Sequence, residues 1–280
     1  MTWDDFDRWT PVSLRGAAAQ LTASGLLSEP EASVRVAEQL AEQLPDGIAT
    51  PLHRLWTVRS SGAGGSTVGH LWMRIGPSAD VVEAFVLDIE VLPELRGRGW
   101  GRSAMLAAEQ AARDAGASVV RLNVFAHNAA GVRLYESLGY VVVGATLLRR
   151  LDGRPPTAPP GPAPQRPVTL RPVDTEQYAG SGPRLWRAVD GTEAVAEVWL
   201  RLVRRSDGRH AIVQELRLHH PDRLPAVVVA VEQLCRGLDV TSLTVSVPES
   251  LPAPPTAAQV LVERCGFRVA AQTMAKVIRP

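Results

Sequence analysis

A chain of 280 residues is long enough for one large or two ordinary domains with a buried core, which excludes a disulfide-stapled miniprotein. Hydrophobic residues make up 45% and charged residues 21%, the balance of a globular chain, so collagen-like and wholly disordered architectures are excluded. Thirty basic against 29 acidic side chains leave a formal charge of +1, which gives no electrostatic ground for nucleic acid or an anionic membrane as a partner; any anion site must be local.

The opening Met1 to Asp5 is acidic and lacks an apolar run, so no secretory or transit leader is expected. The longest purely apolar run, Ala226 to Val231, is too short to span a bilayer. Cys235 and Cys265 have no metal-ligand spacing and read as buried free thiols of a reducing cytoplasm. His127, His219 and His220 also lack ligand spacing, and no metal is expected.

In chain order, Val12 to Ser24 reads as a helix stopped by Gly25. A second helix opens at Ser28 with a capping-box signature to Glu31 and runs to Leu44. Leu52 to Arg59, Val68 to Ile75 and Glu83 to Leu92 read as strands, the first two joined as a hairpin. An Ala-rich helix, Gly101 to Ala115, precedes strand Val119 to Phe125, helix Ala129 to Leu138 and strand Tyr140 to Gly144. This order predicts an α/β (α+β) architecture, a mixed and mostly antiparallel sheet flanked by helices.

Pro155 to Pro167 is too proline-rich for helix or central strand and reads as an interdomain linker. Beyond it, Leu261 to Phe267 (LVERCGF) echoes Leu134 to Tyr140 (LYESLGY), Leu243-Thr-Val245 echoes Leu122-Asn-Val124, and Val231-Glu-Gln233 echoes Ala108-Glu-Gln110. Three collinear echoes mark a diverged second copy of the fold. The expected organisation is a first domain over 1–152, a linker over 153–167 and a second copy over 168–280.

The motif that carries chemistry follows the third strand: Arg96-Gly97-Arg98-Gly99-Trp100-Gly101, leading directly into a helix. A glycine-rich turn at a helix start presents bare N–H groups and the positive end of the helix dipole, an anion and especially a pyrophosphate site. Arg96, Arg98 and Arg102 add charge there. The turn lacks the lysine of a Walker loop, and its Gly-x-Gly-x-Gly spacing after hairpin strands is not the dinucleotide fingerprint.

Arg96-x-x-Gly99-x-Gly101, with the strand Asp88 to Val91 before it and Asn123 to Asn128 and Leu134 to Tyr140 after it, resembles the GCN5-related N-acetyltransferase (GNAT) superfamily over roughly residues 10 to 150. The resemblance implies acetyl-coenzyme A as co-substrate and no metal, with pyrophosphate held by Arg96, Gly97, Arg98, Gly99, Trp100, Gly101, Arg102 and Ser103. It implies that the pantetheine arm pairs with the backbone of Ile89 and Val91 and meets Asn128, which reads equally as a helix N-cap. It places Tyr135 beside the sulfur. A phenol near pKa 10 is a weaker acid than a thiol near 8.5, so full proton transfer costs about 2 kcal/mol. Tyr135 is therefore expected to hydrogen-bond the developing thiolate and to be able to complete the transfer.

The base is open between Asp88 and Glu90, which alternation puts on one face of the strand. Asn123, where some relatives carry glutamate, cannot serve. Trp56 and Trp72 read as sheet packing. The second copy sets Arg223 opposite Arg96, Pro225 opposite Arg98, Ala226 opposite Gly99 and Val262 opposite Tyr135, which predicts a catalytically silent, GNAT-like domain kept for packing, for shaping the acceptor cleft or for homodimer contact. Met1 to Thr10 shows no first strand while Val168 to Val173 does, so a strand lent by the second copy is a hypothesis for strand order to decide.

These readings converge on a cytoplasmic N-acetyltransferase acting on a primary amine, with Glu29, Glu31, Glu38, Glu42 and Asp46 of the early helices weakly favouring a cationic acceptor. A silent acyl-coenzyme A sensor and an enzyme for longer acyl groups are the alternatives.

Overall fold

The computed structural model describes residues 1–60, 65–78, 81–151, 167–173, 183–206, 208–248 and 257–278. The chain divides into two compact units, Met1–Val143 with Gln272–Pro280, and Gly144–Ala271. Apart from Pro167, the expected linker lies outside the described residues.

In the first unit, helix α1 spans Trp3–Ser24 and begins well before Val12. Thr2 caps it: its hydroxyl accepts from Asp5 N–H at 3.1 Å, and Asp5 Oδ2 accepts from Thr2 N–H at 3.2 Å. Pro11 lies inside the helix. The loss of one backbone donor there is outweighed by anchoring: Trp9 is 1% exposed and packs with Phe6, Leu44, Leu55 and Trp72. Helix α2, Glu29–Gln43, opens at Ser28 with the expected capping box to Glu31.

Strands β1 (His53–Arg59), β2 (Thr67–Ser78) and β3 (Val81–Val91) form an antiparallel meander. Helix α3 (Trp100–Asp114) crosses to β4 (Val119–Phe125), parallel to β3, and α4 (Ala129–Ser137) follows. The neighbour of β4 is the last strand of the chain, β11 (Arg268–Val277). Met274 and Ile278, fully buried, join Met73, Met105, Val120 and Leu122 in the core under α3 and α4. The strand lent to the first unit is thus β11, not the segment at Val168.

The second unit begins within β5 (Val141–Arg150), which pairs antiparallel with β10 (Val240–Pro248). From β10 the order runs through β9 (Gly208–Leu218), β8 (Glu193–Arg205), β7 (Arg184–Asp190) and β6 (Thr169–Pro172). Helices α5 (Leu224–Gly237) and α6 (Ala257–Cys265) pack on its core. The repeat shows in detail: β3 has a bulge at Leu87 opposite Trp72 and Met73, and β9 has one at Gln214 opposite Trp199 and Leu200. Cys235 and Cys265 are free and buried, and burial pushes their thiols up to about 12 and about 11.

Candidate active site

The parallel pairing of β3 with β4 covers only Glu83 to Val86 against Val119 to Leu122. Beyond Val86 the strands part, leaving β3 from Leu87 to Val91 with no partner strand on that side among the described residues. Leu92 N–H donates to Val68 C=O at 2.9 Å across the β2 pairing. Alternation then turns the backbone groups of Asp88 and Glu90 toward β2 and those of Ile89 and Val91 toward the opening. Arg96 Nε donates to Val91 C=O at 2.9 Å. The groups that remain facing the opening are Ile89 N–H, which also lies against the Asp88 carboxylate, Ile89 C=O and Val91 N–H.

At the end of β3 the chain turns through Gly97 (φ 75°) and Gly99 (φ 85°) into α3. Both glycines are required by the left-handed backbone; a Cβ at either would meet open space. Gly101 differs: a Cβ there would lie 3.2 Å from Leu134 Cδ2, so its absence serves the packing of α3 on α4. The first bond of the helix is Ser103 N–H to Gly99 C=O, 3.1 Å. Among the described residues, no amide from Gly97 to Arg102 donates to a protein acceptor. Six N–H groups at a helix start are thus left without a protein acceptor, the condition under which such a turn can receive an anion.

The arginines of the turn behave differently. Arg96 lies 3.8 Å from Glu90 in addition to its bond to Val91. Arg102 donates to Ser137 Oγ, which donates in turn to Leu134 C=O at 2.7 Å, tying α3 to α4. Arg98 makes no ion pair among the described residues.

Asp88 is covered by α1. Ser13 Oγ donates to its Oδ2 at 3.2 Å, and Trp9 Nε1 lies near the carboxylate without meeting hydrogen-bond geometry. Burial, and then the charge of Glu90 on the same strand face, push the Asp88 carboxyl up to about 6. Tyr135 on α4 has a buried ring, edge-to-face with Tyr140 at 5.9 Å, and its hydroxyl makes no hydrogen bond to a described residue. Burial and then the Asp88 charge push its phenol up to about 12. Asn128 caps α4, accepting from Gly131 N–H at 3.0 Å. Trp100 is half-buried at the first turn of α3.

Sequence reasoning missed Trp9, because Pro11 hid the first turns of its helix, and Ser13, which lies in the expected helix but carries no local sign of the strand residue it faces. It also missed Thr273 of β11, whose hydroxyl donates to Asn123 Oδ1 at 2.9 Å. Of the early acidic residues, Glu31 closes the α2 capping box, and Glu38 and Glu42 face Arg35 at 4.0 Å on an exposed surface. In the second unit, Arg223 is tied to Asp190 at 2.7 Å, and Pro225 stands in the first turn of α5, where a donor would be needed. Among the described residues there is no cluster of three metal-ligating side chains, and no helix is long and apolar enough to cross a membrane.

The Acetyltransferase (GNAT) family pattern matches residues 26–140. The Bacillus subtilis uncharacterized N-acetyltransferase YycN is 28% identical over 151 residues, 54% of this chain and 96% of that protein. Aligned on its crystal structure, identity is 30% over 50% of this chain and 87% of that one, with a TM-score of 0.47. A GCN5-related N-acetyltransferase from Sphaerobacter thermophilus shares the fold over 94% of this chain and 90% of its own, at 19% identity and a TM-score of 0.50. A mycothiol acetyltransferase of Thermobispora bispora is 38% identical over 81 residues, 27% of each chain. With the parted strands, the bare amides and these likenesses together, the chain belongs to the GNAT family and is an acetyltransferase.

Proposed function

We infer that the first unit transfers an acetyl group from acetyl-coenzyme A to an amine by direct attack. The observation that carries this reading is the row of bare amides from Gly97 to Arg102 at the end of a strand whose edge is open. The amides and the helix start fit a diphosphate, with Arg98 adding charge. Ile89 and Val91 offer backbone groups to an extended arm laid along β3, and Asn128 stands at the start of α4. The co-substrate supplies an acetyl group activated as a thioester.

An amine near pKa 10 is an ammonium at neutral pH and has no lone pair for attack, so it first gives up one proton to solvent. As the neutral nitrogen bonds to the carbonyl carbon it becomes cationic and its N–H acidic, and Asp88, ionised above about 6, accepts that proton. Glu90, held toward Arg96, raises the proton affinity of Asp88 and serves as a second carboxylate on the same face. As the C–S bond breaks, the electron pair stays on sulfur, and Tyr135 donates a hydrogen bond to it. With its phenol near 12, full transfer to a thiolate of pKa near 8.5 would cost about 5 kcal/mol, so Tyr135 keeps its proton and the thiolate is protonated from water. The second unit, lacking both a glycine cradle and a tyrosine at Val262, is silent in this scheme.

Calorimetric titration with coenzyme A, followed by thiol release against a panel of amino acid amides, polyamines, aminoglycosides and peptides, tests the proposal. Binding together with amine-dependent release is expected; no heat of binding would overturn it.

A further inference from the structure

The opening between β3 and β4 has two walls on the face that α1 covers. Asp88 stands on the first, held by Ser13. The register of Val86 with Leu122 puts Asn123 of β4 level with Leu87 and Asp88 across the gap. Leu122 and Val124 are buried in the core under α3 and α4, so Asn123, exposed between them, points to the opposite face. That is the face of Leu87, which packs with Trp9 of α1. Asp88 and Asn123 therefore flank one mouth.

An asparagine amide has one oxygen acceptor and two N–H donors. Thr273 Oγ1 donates to the oxygen at 2.9 Å, which fixes the amide plane, and Asn123 Nδ2 has no acceptor among the described residues. A fixed, unspent donor thus stands opposite the base. On the reading of this mouth as an amine-acetylating site, the geometry points to Asn123, oriented by Thr273, as the group that selects the acceptor: an amine bearing a neutral oxygen, carbonyl or hydroxyl, on the carbon next to the one that carries nitrogen. Amino acid amides and 1,2-amino alcohols have that chemistry. A free carboxylate does not suit it, because Asp88 and Glu90 line the facing wall and would repel a third anion. Asn123 contacts the acceptor, whereas Thr273 is a positioning residue.

The test uses the full chain with L-alaninamide and isopropylamine, which differ by that oxygen-bearing group, and L-alanine as the anionic control. Thr273→Val is expected to raise KM for L-alaninamide about tenfold, the order of one hydrogen bond, with kcat and the dissociation constant of coenzyme A within about twofold. KM for isopropylamine should not move, Thr273→Ser should restore KM for L-alaninamide, and L-alanine should be the poorest substrate. Asn123→Ala should raise KM for L-alaninamide at least as much as Thr273→Val does. An equal loss with both amines, or a fall in kcat in place of a rise in KM, would assign the pair to the thioester or to folding and overturn this inference alone. If the unaltered protein binds coenzyme A yet acetylates neither amine, amine transfer and this inference fall together.

Discussion

Ser13 on α1 donates its hydroxyl proton to Asp88 on β3, 3.2 Å away and 75 residues on in sequence. The bond favours the carboxylate and opposes the burial that raises its proton affinity. The rate of acetyl transfer should accordingly rise with pH through a limb centred near 6. Ser13→Ala should move that limb upward by about half a unit to one unit while leaving the rate at pH 9 nearly unchanged. A pH profile of kcat/KM is the measurement, and an unmoved limb would remove Asp88 from the role of base.

Asp88 should also be a burden on stability. Its folded pKa, about 6, lies above the unfolded value near 3.9, so the folded state binds the extra proton between those values. Stability from this group is present below pH 4 and is lost as pH rises through 6. Asp88→Asn should therefore stabilise the protein above pH 7 by about 2 kcal/mol and leave it unchanged near pH 4. Urea unfolding at the two pH values reads this directly, and the same variant should lose most of its turnover.

Tyr135→Phe separates an enzyme from a sensor. The hydroxyl makes no hydrogen bond to a described residue, so its loss orphans none of them and should leave folding and coenzyme A affinity nearly unchanged. Turnover should fall about 100-fold, the range for one group acting in the transition state. A variant with full turnover would show that sulfur departs without help from Tyr135.

What the sequence disclosed follows from the range of its signals. The turn at Arg96 to Gly101, the strands β1 to β4 and the capping box at Ser28 are local patterns, and each was found within a few residues of its place, whereas β5 runs on to Arg150 and β7, β8 and β9 were not delimited. The echoes of Leu134 to Tyr140 in Leu261 to Phe267 foretold the repeated fold. Helix α1 was truncated because Pro11 reads as a breaker, while the burial of Trp9 that overrides it depends on strands more than forty residues away. The opening beside β3 starts at a bulge at Leu87, which no composition rule marks. Thr273 was invisible because strand neighbours far apart in sequence leave no local trace.

Gly99 and Gly101 should part in behaviour although they sit two residues apart. Gly99→Ala places a side chain at φ 85°, at a cost of about 1 to 2 kcal/mol. Relief of that strain would re-aim the unbonded amides on either side of residue 99, so coenzyme A binding should weaken about tenfold or more. Gly101→Ala asks only that the Leu134 side chain yield a few tenths of an ångström, and alanine favours helix over glycine. Calorimetry on the pair should show one weakened and one nearly unaltered, and equal losses would place the anion somewhere other than on these amides.

Lys276, the only lysine of the chain, bonds through Nζ to Glu109 Oε2 at 2.7 Å. Glu109 is 1% exposed on α3 and has Arg113 at 3.4 Å as its other cation. Lys276→Met leaves a buried carboxylate half-compensated and should destabilise the first unit by about 3 kcal/mol. Pairing it with Glu109→Leu should recover most of the loss, because an apolar pair of similar volume carries no unpaired charge. Urea unfolding of the single and double variants checks this. Removal of residues 272–280 takes Met274 and Ile278 out of the core together with Lys276, so the shortened chain should fail to bind coenzyme A even though every residue proposed to touch it is still present. Undiminished binding by that chain would mean that the first unit closes its sheet without β11.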